Sequence, residues 1–119
     1  MSKSIIKEKS FEFSLIIIAL YKSMLTQKEY VLSKQLLKSG TSIGANIEEA
    51  LAGQSKKDFI AKMAIASKEA RETKYWLLLI KESKLVEGDV ADYLDDIEEI
   101  IKILTSIVKT SQVNQKRKI

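Results

Sequence analysis

Hydrophobic residues recur every three to four positions over long stretches of this chain, which is the spacing of one buried helix face. Four such stretches predict helices at about 10–25, 29–51, 56–83 and 89–110, followed by a polar basic tail over 111–119. Proline is absent and there are only four glycines, so little interrupts the pattern. Short connections make consecutive helices antiparallel neighbours. The pattern therefore predicts an all-α fold, an antiparallel up-down-up-down four-helix bundle, in a single domain over 1–119.

Two of the predicted helices are apolar around more of their circumference than a monomer can cover. In the first helix, Ile16 and Ile18 lie outside the stripe that faces the core. In the third, Tyr75 and Trp76 open an apolar run that continues through residue 80. We therefore expect a homo-oligomer whose interface includes Ile16, Ile18, Tyr75 and Trp76.

The second helix contains Gly40 and Gly44, each of which costs about 1 kcal/mol relative to alanine inside a helix. Their spacing of four removes side-chain bulk from one spot on the helix surface, so the pair predicts a weak point that is kept for close packing. Polar residues lie beside it, and if they are buried they need partners, since a buried unpaired group costs about 1–3 kcal/mol. The residues assigned to this internal polar contact are Ser42, Asn46, Glu49 and Glu72. Alternatively, Glu48 and Glu49 are ordinary solvent-facing acids.

Charge is unevenly distributed along the chain, whose formal net charge is +4. Residues 1–40 carry seven lysines against three acids, residues 86–101 carry seven acids and no lysine or arginine, and residues 116–119 form a basic end. Such an uneven charge distribution permits one end of the molecule to attract phosphate backbones. The candidate nucleic-acid-binding residues are Lys34, Lys38, Lys56, Lys57 and Lys62, which would form a basic rim repeated around a ring. Alternatively, the lysines are merely solvated and the protein is a scaffold for another protein.

The residue types that most enzymes use are missing. Without cysteine there is no disulfide or thiolate chemistry, and without histidine the commonest general base and metal ligand are absent. Carboxylates on several helices could suggest a dinuclear metal site, but the ferritin-like plan needs Glu-x-x-His on two helices. The glycines are not followed by the Gly-Lys-Ser/Thr of a phosphate-binding loop. We therefore expect no metal, no cofactor, no small-molecule substrate and no enzymatic activity.

The longest apolar run, residues 15–21, has seven residues, whereas a membrane-spanning helix needs about 20. The run also starts too late, and without a small-residue cleavage site, to be typical of a signal peptide. These features favour a cytoplasmic protein that does not associate with membranes.

One string of residues resembles a family fingerprint: SIGANIEEA, residues 42–50. The likeness continues through SKKDF, residues 55–59, and then through Ala66, Glu72 and Leu77, and it covers most of the chain. Together these residues resemble the bacterial four-helix-bundle proteins encoded by open reading frames within 23S rRNA intervening sequences, once labelled S23 ribosomal proteins. The sequence departs from the family pattern at Gly44, where many members have proline, and at Ala50, where many have glycine.

The resemblance implies a homopentamer of four-helix bundles. A related branch is the accessory protein of diversity-generating retroelements, which implies RNA or DNA as a partner and a protein partner such as a reverse transcriptase. Asn46, Glu49 and Glu72 match recurrent polar positions of the family, and Ser42, Ile43 and Phe59 match packing positions. On this basis we expect a non-enzymatic accessory or scaffold protein that binds RNA.

Overall fold

The computed structural model describes residues 2–117, which form four α-helices and no strand. The helices are α1 (Ser2–Thr26), α2 (Leu32–Leu51), α3 (Lys56–Ser83) and α4 (Ala91–Arg117). Successive helices pack against each other and α1 also contacts α4, so the four close into an antiparallel up-down-up-down bundle. The predicted fold is confirmed. Over these residues, none of the helices combines the length and the hydropathy needed to cross a membrane.

Each helix turns one apolar stripe toward a continuous core. In α2 the stripe includes Leu36, Ile43 and Ile47, and in α4 it includes Ile97 and Leu104, all of them fully buried. Burying such a side chain stabilises the fold by about 1.5–3 kcal/mol. The four ion pairs between helices of the described chain all lie at the surface, where such a pair contributes about 0–1 kcal/mol. Apolar packing, rather than charge pairing, therefore holds the bundle together.

Two helices are longer than the sequence pattern predicts. α1 begins at Ser2 rather than near residue 10, because Ile6 and Ser10 continue its buried stripe backwards. α4 continues to Arg117, so the predicted tail is helical as far as that residue. In this last part of α4, Ser111 and Gln115 are half-buried. Lys118 and Ile119, the end of the predicted basic tail, lie outside the described residues, as does Met1.

α2 starts at Leu32, three residues later than predicted, because the carboxylate of Glu29 occupies the positive end of the helix. Glu29 accepts hydrogen bonds from the backbone N–H groups of Val31, Leu32 and Ser33 at 3.1, 3.1 and 2.7 Å. Partial burial pushes the pKa of Glu29 up, but these hydrogen bonds outweigh burial and lower the pKa below its ordinary value of 4.5. Glu29 thus satisfies amides that would otherwise lack partners at the start of α2.

α2 passes through its two glycines without a break, so the predicted weak point is not an interruption of the helix. Gly40 faces α1, and a Cβ atom placed on it would lie 2.9 Å from the Cγ2 atom of Ile17. Gly44 faces the same helix more loosely, with Ser10 and Ser14 at 3.5 and 3.6 Å from the corresponding position. Gly40 therefore serves the close approach of α1 and α2, whereas the space beside Gly44 would accept a Cβ atom.

Candidate nucleic-acid interface

The lysines predicted to bind nucleic acid do not form one continuous patch. Lys34 and Lys38 lie one turn apart on the exposed side of α2, near the α1–α2 connection. Lys56 and Lys57 open α3 at the opposite end of the bundle. The rest of α2 beyond Lys38 rises about 20 Å, so the two pairs of lysines are far apart.

The fifth predicted lysine, Lys62, is engaged by an acid. Its Nζ atom lies 2.9 Å from Oε1 of Glu49 on α2. This hydrogen bond raises the pKa of Lys62, and the attraction between the two charges adds to the effect. Both side chains of the pair remain partly exposed, and such a surface pair contributes about 0–1 kcal/mol. The pair also places Glu49 at the surface rather than in an internal polar contact.

The other residues assigned to the internal polar contact bond within their own helices. The amide of Asn46 donates to the backbone oxygen of Ser42 at 2.9 Å. The indole N–H of Trp76 donates to the carboxylate of Glu72 at 3.2 Å. Since Asn46 and Glu72 lie on different helices and each finds a partner one turn away, the structure does not bring the four predicted residues together.

The buried polar contact between α2 and α3 is made by two other residues. The hydroxyl groups of Ser39 and Thr73 are hydrogen-bonded at 2.9 Å, and neither residue has any exposed surface. Ser39 belongs to the same polar stripe as Ser42 and Asn46, so part of the signal was in the sequence. Thr73 gave no signal, because a threonine inside an amphipathic helix is usually paired with its own backbone.

The basic residues that sequence reasoning missed lie on α4. Lys102, Lys109 and Lys116 are exposed and follow each other at intervals of seven residues, which places them near one face of the helix. Each interval rises about 10 Å. No acid occurs between Ile100 and Arg117, and none of the three lysines forms a salt bridge within the described chain. The interval of seven could have revealed this stripe, but residues beyond 110 were predicted to be a tail.

A groove of about 910 Å³ lies between the start of α3 and α4, and of the three α4 lysines Lys102 lines it. Lys56 lines one wall and Lys102 the other, while no acidic residue of the described chain lines it. We call the set Lys56, Lys57, Lys102, Lys109 and Lys116 the basic end of the bundle.

The acidic residues lie at the other end of α4. Asp92, Asp95 and Asp96 occupy its first two turns, which the positive end of the helix dipole favours. Partial burial raises the pKa of Asp96, and the nearby charges of Asp92 and Glu99 raise it further. The charges of α4 are therefore segregated: the acids lie in its first half, and the charged residues of its second half are all cations.

α1 carries an exposed apolar stripe, which we call the outer α1 face: Phe11, Leu15 and Ile18. Phe11 is 65% exposed and Leu15 53%, while Ile18 is half-buried. Ile16, predicted to belong to the interface, instead packs against the core on the side that faces α4. The spacing i, i+4, i+7 is the sequence signal for this exposed stripe.

α3 carries a second exposed apolar surface, the outer α3 face: Tyr75, Leu78 and Leu79. Tyr75 is 56% exposed and meets the ring of Trp76 edge to face, with the ring centroids 5.3 Å apart. Trp76 itself is half-buried and packs against the core. Among the described residues, α1 and α3 each contact α2 and α4 but not each other. The two outer faces therefore point away from opposite sides of the bundle.

The carboxylates that could suggest a metal centre stay apart. Glu49 is occupied by Lys62, Glu72 by Trp76, and Asp96 lies beside Lys9 and Glu99 near α1. Across residues 2–117, no three acids gather at a spacing that could hold an ion.

Comparison with known proteins agrees with the fold and with the fingerprint at 42–50. The family model described as "23S rRNA-intervening sequence protein" matches residues 2–106. The chain is also similar to the crystal structure of a protein of unknown function from the S23 ribosomal protein family of Bacteroides thetaiotaomicron, with 49% identity and a TM-score of 0.88 over 92% of this chain and 99% of that chain. Comparison with curated protein sequences gives no match. The chain therefore belongs to the 23S rRNA-intervening sequence protein family.

Proposed function

We propose that the protein is a non-enzymatic, cytoplasmic, oligomeric accessory protein that binds RNA through its basic end. The observation that carries the proposal is the stripe Lys102, Lys109 and Lys116 beside the start of α3. Cations at intervals of about 10 Å along a rigid helix can contact successive parts of a phosphate backbone. Because the helix is already formed, binding does not have to order a flexible tail.

Self-association would strengthen this binding. The outer α1 face and the outer α3 face point in opposite directions, so the first face of one copy can dock on the second face of the next. Head-to-tail contacts of this kind close into a ring when the rotation between copies permits. The family resemblance implies a pentamer. A ring repeats the basic end in every subunit, and several weak phosphate contacts then act together.

The test is a pair of charge reversals with equal change in net charge. In the first variant, Lys102→Glu and Lys109→Glu remove the α4 stripe. In the second, Lys34→Glu and Lys38→Glu reverse two exposed lysines at the other end of the bundle. Fluorescence anisotropy with a labelled structured RNA should show a loss of about tenfold or more for the first variant and a much smaller loss for the second. Equal losses would mean that only net charge matters, and unchanged affinity in the first variant would refute the basic end as the interface.

A second candidate function is a scaffold that holds another protein, and the exposed outer α1 face favours it. Under that hypothesis the outer α1 face binds a different protein, and the lysines serve only solubility. Size-exclusion chromatography with light scattering separates the two: a monomer that does not bind RNA at low salt would favour the scaffold.

A further inference from the structure

We infer that the exposed seam between α3 and α4 binds double-stranded RNA through two facing rows of lysines. This inference rests on the proposed function and deepens it in two ways: it brings a new residue of α3, Lys68, into the interface, and it specifies a duplex over a single strand. The site, which we call the lysine seam, has one row on each helix: Lys57 and Lys68 on α3, and Lys109 and Lys116 on α4.

A hydrogen bond between the two helices shows how the rows are aligned. The guanidinium of Arg71 donates to the hydroxyl of Thr105 at 3.2 Å. Because α3 and α4 pack as antiparallel neighbours, a residue one turn before Arg71 lies level with a residue one turn after Thr105. Lys68 is three residues before Arg71 and Lys109 is four residues after Thr105, so these two lysines lie opposite each other across the seam.

Helical periodicity extends both rows from this facing pair. Lys109 and Lys116 follow Thr105 at four and eleven residues, so all three share one face of α4. Lys57 precedes Lys68 by eleven residues and lies on the corresponding face of α3. The four lysines are exposed, and none of them forms a salt bridge within the described chain. The seam therefore presents cations from two rigid helices.

The acids of α3 near the seam lie on another side of that helix. Lys62 forms its ion pair with α2, and Asp58 and Glu69 lie four residues before it and seven residues after it, so they share the side of α3 that faces α2. Glu72 accepts a hydrogen bond from the indole of Trp76. These acids leave the positive charge of the seam uncompensated.

On α4, Glu98 lies on the side that faces α3, and it marks one limit of the site. It forms an ion pair with Lys74, whose hydrogen bond lowers the pKa of Glu98, and the charges of Lys102 and Arg71 add to the effect. Lys102 and Arg71 are therefore left out of the lysine seam. Beyond Thr105, α4 carries no acid as far as its end, so this part of the seam attracts phosphate groups.

The surface between the lysines favours a duplex over a single strand. On α3 it is formed by Ala61 and Ala64, both exposed, and none of the residues on the two faces that border the seam is aromatic. Proteins that bind single strands rely on aromatic rings on which the bases stack. A duplex keeps its bases inside and is recognised through its shape and backbone, which cations on rigid helices can contact without any stacking surface.

Polar side chains on the same face of α4 favour RNA over DNA. Gln112 lies between Lys109 and Lys116, and Thr105 lies one turn before Lys109; both polar residues are exposed. Their amide and hydroxyl groups both donate and accept hydrogen bonds. Duplex RNA displays 2′-hydroxyl groups in a wide, shallow minor groove. The lysines then contact the phosphates that border this groove, while Thr105 and Gln112 meet the 2′-hydroxyl groups that DNA lacks.

The experiment removes one cation from the α3 row. Lys68→Gln is the decisive variant, because Lys68 lies outside the basic end and its loss tests the seam alone. The matched control is Lys81→Gln, which removes the same charge from another exposed lysine near the other end of the same helix. Circular dichroism first confirms that both variants keep the helical content and the Tm of the wild type.

Binding is measured by fluorescence anisotropy between about 50 and 200 mM salt, with a labelled RNA duplex of about 16 base pairs, one of its single strands, and a DNA duplex of the same sequence. We expect the wild type to bind the RNA duplex about tenfold or more tightly than either other probe. Lys68→Gln should weaken binding of the RNA duplex by about threefold or more and reduce the slope against salt by about 1, whereas the control should change affinity by less than about twofold.

Several results would overturn the inference and leave the proposed function standing. They are wild-type affinity for the single strand or for the DNA duplex that equals the affinity for the RNA duplex, and a Lys68→Gln variant that behaves like its control. Absence of binding to both RNA probes at low salt would instead overturn the proposed function, and the inference with it.

Discussion

Replacing the two glycines of α2 with alanine should change the stability of the protein in opposite directions, although the glycines lie one turn apart on the same helix. Replacing either with alanine gains about 0.5–1 kcal/mol of helix propensity. At Gly40 the new methyl group would lie 2.9 Å from Cγ2 and 3.2 Å from Cγ1 of Ile17. Ile17 is fully buried and branched at Cβ, so it has little freedom to move aside. Overpacking of this kind costs about 1–3 kcal/mol, so Gly40→Ala should lower the free energy of unfolding by up to about 2 kcal/mol.

At Gly44 the same change meets no obstacle. The nearest atoms, the backbone and side-chain oxygens of Ser10 and the hydroxyl of Ser14, lie at 3.5–3.6 Å, which is ordinary van der Waals contact. Gly44→Ala should therefore stabilise the protein by up to about 1 kcal/mol. The two variants should differ by about 1–3 kcal/mol, and each kcal/mol corresponds to about 4 °C in Tm.

Urea denaturation followed by circular dichroism measures both variants, at one protein concentration because any self-association would shift the apparent stability. Ala45→Gly calibrates the helix, since Ala45 is exposed and the reverse change should cost about 1 kcal/mol. If Gly40→Ala proved more stable than the wild type, or less damaging than Gly44→Ala, the assignment of Gly40 to the tight α1–α2 contact would be refuted.

Three further predictions follow from named contacts. Thr73→Val removes the bond to the buried hydroxyl of Ser39 and leaves that hydroxyl only the backbone oxygen of Leu36, at 3.4 Å, so it should cost about 1 kcal/mol. Thr73→Val with Ser39→Ala should cost less than the two single changes added together; additive losses in a double-mutant cycle would contradict the bond. Glu29→Gln weakens the hydrogen bonds that start α2 and should cost about 1 kcal/mol at pH 7. Because folding lowers the pKa of Glu29, its contribution is present above its ordinary value of 4.5 and is lost as the pH falls through the folded-state pKa; a difference between wild type and variant that persists unchanged at pH 2–3 would contradict this origin. Leu15→Glu places a charge on the outer α1 face and should give a smaller species in light scattering, with Lys22→Glu on the same helix as the control; an unchanged assembly size would remove this face from the interface.

The helices could be predicted because their buried stripes are long and regular. Phe13 and Ile17 in α1 and Ile43 and Ile47 in α2 all lie in the core as their spacing indicates. The ends of helices could not be placed as well, because they depend on single hydrogen bonds. Glu29 holds the start of α2 from a position that the pattern assigns to the helix itself.

The candidate site was less predictable, because it depends on which residues of different helices meet. Five lysines separated along the sequence gave no sign that Lys34 and Lys38 would lie at one end and Lys56 and Lys57 at the other. Lys62 forms an ion pair with Glu49, a contact that only the packing of α2 on α3 creates. A stripe on one helix, such as the α4 lysines, can be predicted once the length of that helix is predicted correctly. The α4 lysines were missed because residues 111–119 were predicted to be a tail rather than part of the helix.

The measurement that tests the account most directly is the salt dependence of RNA binding by the nuclease-treated wild-type protein. Fluorescence anisotropy with a structured RNA is recorded between about 50 and 200 mM salt. If the basic end contacts three or more phosphates, the logarithm of the association constant should fall against the logarithm of salt concentration with a slope of about −2 or steeper. Absence of binding at the low-salt limit, or binding that salt does not weaken, would contradict the proposal that these lysines form a nucleic-acid interface.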